Sequence, residues 1–196
     1  MSDTFTVPPF VLNYDIRWIS LDLNGDLTAW AGKSAKDVLA RWGARGGRRE
    51  KNLAKLLEDA GTIARRADDT SLAYLLYPAL GEGIRTIARV LPVDMRGQDE
   101  ASGWEAMLRW QTPADSFGVS ADVTDFPTPA GACKRIRFQH DDGDGAYEHY
   151  TYAWVFPRYG AGIVLTGAFS SVEAAEQWRT AVDDLAAGAE LDETAG

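Results

Sequence analysis

The spacing of apolar positions changes along the chain, and each change marks an element. Between Tyr14 and Leu23, Ile19, Leu21 and Leu23 alternate with Trp18, Ser20 and Asp22. That period of two predicts a half-buried strand, closed by a turn at Asn24-Gly25. After Ser34 the period lengthens. Ser34 is placed to cap a helix, with Asp37 three residues on, and Ala35, Val38, Leu39 and Trp42 then form one apolar stripe. Gly43, Gly46 and Gly47 interrupt the stripe. A second helix is predicted from about Arg48 to Ala67, on Leu53, Leu56, Leu57, Ala60, Ile63, Ala64 and Ala67.

Strand spacing returns at Ser71 to Tyr77, a nearly continuous apolar run that stops at Pro78, and at Ile84 to Val93, rich in β-branched residues. Gly81 and Gly83 between them predict a hairpin. Ala101 to Trp110 reads as a helix through Trp104, Met107 and Leu108. Val119 to Val123, Lys134 to His140, Tyr147 to Phe156 and Ile163 to Phe169 read as strands linked by turns at Pro127 to Gly131, Asp141 to Gly145 and Pro157 to Gly160. A Ser-x-x-Glu box at Ser170 and Glu173 opens a closing helix that buries Ala174, Trp178, Ala181, Val182 and Leu185. Helices, then hairpin-linked strands, then a last helix imply an α+β protein: a mostly antiparallel sheet with helices packed on it.

One segment carries a family resemblance. Asp125-Phe126-Pro127-Thr128-Pro129-Ala130-Gly131-Ala132-Cys133-Lys134-Arg135-Ile136-Arg137-Phe138 turns through Pro and Gly into a strand. The apolar strand Ile163 to Phe169 then ends in Ser170-Ser171 before an amphipathic helix. This order, over residues 121–190, resembles the PsbP-like (Mog-type) α/β/α sandwich. The resemblance implies that fold, no shared catalytic residues, and work such as protein binding or chaperoning.

Composition narrows the class. The 196 residues fit one domain over residues 1–189, with 190–196 expected to fray as a polar tail. The single Cys133 excludes a disulfide within the chain. The first residues lack the basic and apolar regions of a signal peptide, and no run approaches a membrane span, so the expectation is a cytoplasmic protein with no membrane partner. The net charge of −9 disfavours nucleic acid. That charge is uneven. Residues 1–98 hold 14 Lys+Arg against 12 Asp+Glu, whereas residues 99–196 hold 6 against 17. An acidic second half favours a basic partner or simply keeps the protein in solution.

No complete catalytic or metal motif emerges, and no cofactor is implied. Gly32-Lys33-Ser34 lacks the glycine that a phosphate-wrapping loop needs, since Leu27 stands there. Asp141, Asp142, Asp144 and Glu148 lack the order of a calcium loop. Cys133, His140 and His149 lack the signatures of a thiol enzyme, and two histidines make a poor zinc site. Two features remain. Arg45, Arg48 and Arg49 in the Gly43 to Arg49 stretch stand at a helix start, where free N–H groups and guanidiniums suit an anion, or else form a solvated loop. Tyr150, Tyr152 and Trp154 share one face of a hairpin with Tyr159 nearby; they fit either a protein-binding surface or a packed sheet face beneath helices. The expected function is a non-enzymatic protein-binding module, an adaptor or chaperone using that sheet face and the acidic second half. The alternative is a small-ligand or anion-binding protein using residues 43–49.

Overall fold

Seven strands pair into one antiparallel sheet. A computed structural model of the chain describes residues 6–22, 24–67, 71–79, 83–111, 120–141, 146–169, 172–192 and 194. The elements in chain order are β1 (Phe10–Leu12), β2 (Ile19–Ser20), α1 (Leu27–Arg41), α2 (Arg48–Ala67), β3 (Ala73–Ala79), β4 (Gly83–Asp94), α3 (Glu100–Gln111), β5 (Ser120–Asp125), β6 (Cys133–Asp141), β7 (Ala146–Phe156), β8 (Ala161–Phe169), α4 (Val172–Ala187) and β9 (Ala189–Leu191). The sheet order is β2-β3-β4-β8-β7-β6-β5, and β1 pairs with β9 in a separate ribbon. The expected α+β architecture, an antiparallel sheet flanked by helices, is what the chain forms. No helix among the described residues is long and apolar enough to cross a membrane.

Strand alternation sorts the core into two sides. On one, Leu75, Val90, Ile163, Leu165, Tyr150, Tyr152 and Trp154 pack against Ala181, Val182 and Leu185 of α4 and against the β1–β9 ribbon. The neighbouring positions face the other way. Ile19 and Leu76 meet α1 and α2, while Leu91, Val164 and Ala153 meet Met107 of α3. Gly167 on β8 lets α4 come close, because a Cβ there would lie 2.9 Å from Val182.

Several local readings need correction. Helix α1 starts seven residues before Ser34, where the Asp26 carboxylate accepts from the N–H groups of Thr28 (2.9 Å) and Ala29 (3.1 Å). Ser34 lies inside the helix, and with it Gly32-Lys33-Ser34. The apolar stripe misled because it begins at Ala31, which Gly32 and Lys33 obscure. The strand expected over Tyr14 to Leu23 shrinks to β2. Asp15 accepts from the Arg17 N–H at 2.7 Å, and a side chain bonding its own backbone competes with a sheet ladder. Strand β3 runs through Pro78 rather than stopping there: β2 pairs only with Leu75 and Leu76, and the register shifts at Tyr77/Pro78, so the missing N–H goes unneeded. Glu190 and Leu191, expected to fray, pair with Val11 and Phe10. The turns at Gly81 and at Asp142 to Gly145, with Asp142 and Asp144, and the Ser170 half of the capping box lie outside the described residues.

Candidate functional site

The glycine–arginine stretch forms the loop that its sequence predicts. Helix α1 ends on Trp42, and Gly43, at φ +62°, takes the left-handed conformation beyond it. The Ala44 N–H then donates to Leu39 O (2.9 Å) and the Gly43 N–H to Ala40 O (3.1 Å), the paired bonds of a glycine-terminated helix. Helix α2 begins at Arg48, and its Lys51 N–H donates back to Gly47 O at 3.1 Å. Arginines at a helix start oppose its dipole. Glu50 supplies the compensating charge, since its carboxylate folds back over the loop, 2.3 Å from where a Cβ on Gly46 would stand.

Beside this loop α1, α2, the end of β3 and the start of β4 border an open hollow of about 480 Å³. Leu39, Trp42, Leu53 and Leu56 give it apolar walls, and Arg49 and Asn52 add a cation and an amide. Volume and lining suit a small molecule with an apolar body and one anionic group. Leu56 is 44% exposed, an opening in the apolar wall. All three arginines expected at one anion site are exposed, and of them Arg49 lines the hollow while Arg45 and Arg48 do not. Residues one apart on a helix point about 100° from each other, so Arg48 and Arg49 diverge. The sequence reading missed Trp42, Asn52 and Leu56 as cavity walls. The one available signal was the Leu56 and Ile63 edge of the α2 stripe, which the sheet leaves uncovered.

The hairpin aromatics are core. Tyr150 is 5% exposed and Tyr152 and Trp154 are fully buried, so the protein-binding face expected of them is corrected. The register sets Tyr152 opposite Leu165 and Trp154 opposite Ile163, on the side that α4 covers. Their polar tips find internal partners: Trp154 Nε1 donates to Thr128 Oγ1 at 2.9 Å, Tyr152 to Asp183 at 2.5 Å and Tyr150 to Glu148 at 3.2 Å. Tyr159 is half-buried, its ring 6.5 Å from that of Phe156.

Glu148 is a fully buried carboxylate. Burial pushes it up, but hydrogen bonds from Arg137 and Gln139, the Arg137 charge and the Tyr150 hydroxyl together hold it below its ordinary value. Burial, then its bond to Asp183, raises the Tyr152 phenol far above its own. Burial likewise pushes the Cys133 thiol up to about 12 against a backbone hydrogen bond from Ala153. Cys133 pairs with Trp154 and His149 with Phe138, positions of opposite parity, so the thiol and His149 stand on opposite faces. His149 stacks on Phe138 instead, with 4.5 Å between ring centres. Among the described residues no three His, Cys, Asp or Glu side chains converge to hold a metal.

No family model and no curated protein matches the chain by sequence. Its fold is similar to that of LpqN, a protein involved in cell envelope biogenesis of Mycobacterium tuberculosis, with a TM-score of 0.51, 11% identity, and 94% of this chain and 84% of LpqN covered. Two expectations are corrected on these findings. The PsbP-like (Mog-type) resemblance is not upheld, because the fold matched is that of LpqN and no family model supports the assignment. A Pro-Gly turn, an apolar strand and a closing helix recur in many antiparallel sheets and do not identify one. The cytoplasmic expectation is withdrawn as well, since LpqN, whose fold this chain resembles, is involved in cell envelope biogenesis.

Proposed function

We propose that this protein is a non-catalytic binding protein for a small amphiphile with an anionic head group, held in the cavity between α1 and α2. The observation that carries this reading is the cavity itself: about 480 Å³, walled by Leu39, Trp42, Leu53 and Leu56, with Arg49 in its lining. Apolar burial supplies the affinity and one guanidinium the orientation, since a charged head leaves water only where a counter-charge meets it. A protein-binding reading built on Tyr150, Tyr152 and Trp154 has no surface left, because those rings are in the core.

Calorimetric titration with decanoate and with decanol tests this. Decanoate is expected to bind and decanol to bind more weakly. Arg49→Gln should weaken decanoate by about tenfold, the loss of one charge-assisted contact, and leave decanol unchanged. Leu56→Glu, at an exposed wall position, should weaken both. No decanoate binding, or binding that both variants leave intact, overturns the proposal.

A further inference from the structure

A second hollow, of about 510 Å³, lies on the opposite face of the sheet, between β5, β6 and α4. Arg135 and Arg137, two apart on β6, line it together with Arg179 of α4. Residues 99–196 hold only six Lys and Arg against 17 Asp and Glu. Half of the basic side chains of that acidic half therefore meet in one groove.

Two carboxylates hold the guanidiniums from within. Glu148 accepts from Arg137 Nη2 and, at 2.8 Å, from the Gln139 amide. Asp183 serves two cations, Arg135 at 3.2 Å and Arg179 at 3.8 Å, while also accepting from Tyr152. Three cations thus share two inner carboxylates, and Arg137 also lies 3.9 Å from the Asp122 carboxylate at the rim. Arg137 Nε is buried without a hydrogen-bond partner among the described residues. Buried ion pairs are weak devices for stability, but they do fix the aim of the groups they hold.

Charge is also sorted by depth. Arg135, Arg137 and Arg179 are 24%, 34% and 43% exposed at their side chains, whereas Asp122 is 79% exposed and Glu176 is exposed beside Arg179. A groove with cations below and carboxylates at its mouth repels a bare dianion at the rim and a bare cation at the floor. It matches a molecule that carries both charges. We propose that this groove binds the charged end of an α-amino-acid-type zwitterion, its carboxylate among the three guanidiniums and its ammonium toward Glu176 and Asp122.

The test follows backbone amide resonances of Thr124, Arg135, Tyr150 and Arg179 in the full chain, titrated with L-alanine, propionate or ethylamine. L-alanine is expected to give saturable shifts at these amides. Propionate, lacking the ammonium, should bind about tenfold more weakly, and ethylamine more weakly still. Arg179→Gln alters the most exposed of the three arginines and leaves the Arg137–Glu148 pair in place; its spectrum should show a folded protein that has lost about tenfold in L-alanine affinity. Absence of shifts with L-alanine, equal shifts with all three probes, or an unchanged affinity in folded Arg179→Gln would each overturn the proposal.

Discussion

The two hollows stand on opposite faces of one sheet and are built on opposite principles. The hollow beside Gly43–Gly47 is bordered mainly by helical side chains, apolar and partly exposed, with Arg49 as the cation among its described lining residues. The groove beside α4 rests on a closed core, and each of its three arginines is tied to a carboxylate behind it. The first is a gap that packing leaves open; the second is a charged network seated on complete packing. Substitutions should therefore be tolerated at the exposed lining residues Arg49 and Leu56 and costly beneath the groove.

The largest expected effect is in the core that carries the groove. Trp154→Ala should lower stability by about 3–5 kcal/mol, the cost of deleting a large buried aromatic. Urea unfolding measures it, and a loss near that of a surface substitution would break the contrast between the faces.

Next comes the buried carboxylate. Glu148→Ala leaves Arg137 without its inner partner and should cost about 3 kcal/mol, the low end for a broken buried pair because Arg137 is a third exposed. Its pH dependence sharpens the point. Glu148 is held below its ordinary value of 4.5 in the folded state, so the folded state binds this proton less readily than the unfolded chain. The stabilisation is complete above that value and is lost as pH falls through the lower folded one. Thermal melts of the native chain should therefore fall more steeply below about pH 4.5 than those of Glu148→Ala.

The α4 contact sits between these and the cavity. Gly167→Ala pushes a methyl against the branched Val182 and should destabilise by about 1–3 kcal/mol, the range for overpacking. Gly167→Ala with Val182→Ala should recover most of that loss.

The smallest effects belong to the cavity. Arg49→Gln should change stability by no more than about 0.5 kcal/mol, and Leu56→Ala by less than about 1 kcal/mol. A large loss at either position would mean that the cavity wall bears on the fold as the opposite face does. Cys133 gives a check without substitution: buried and pushed up to about 12, its thiol should react with a maleimide far more slowly in the native protein than in denaturant.

Much of this architecture follows from short-range pattern. The period of two over Lys134 to His140 and Tyr147 to Phe156 yields β6 and β7, and Gly43, Gly46 and Gly47 between two apolar stripes yield the loop before Arg48, because each depends on neighbours within a turn or a strand. Tertiary structure decided the rest. Alternation places Tyr150, Tyr152 and Trp154 on one face but cannot say which face a helix covers, and α4, which comes from farther along the chain, buries that one. The cap of α1 moved to Asp26 because the packed stripe starts at Ala31 rather than Ala35. Both hollows depend on packing between elements: the first forms only when the consecutive helices α1 and α2 fold against the ends of β3 and β4, and Arg179 joins Arg135 and Arg137 only when α4 crosses the sheet. Local pattern states which side chains share a face, whereas long-range packing selects which faces close and which side chains meet across the gaps that remain.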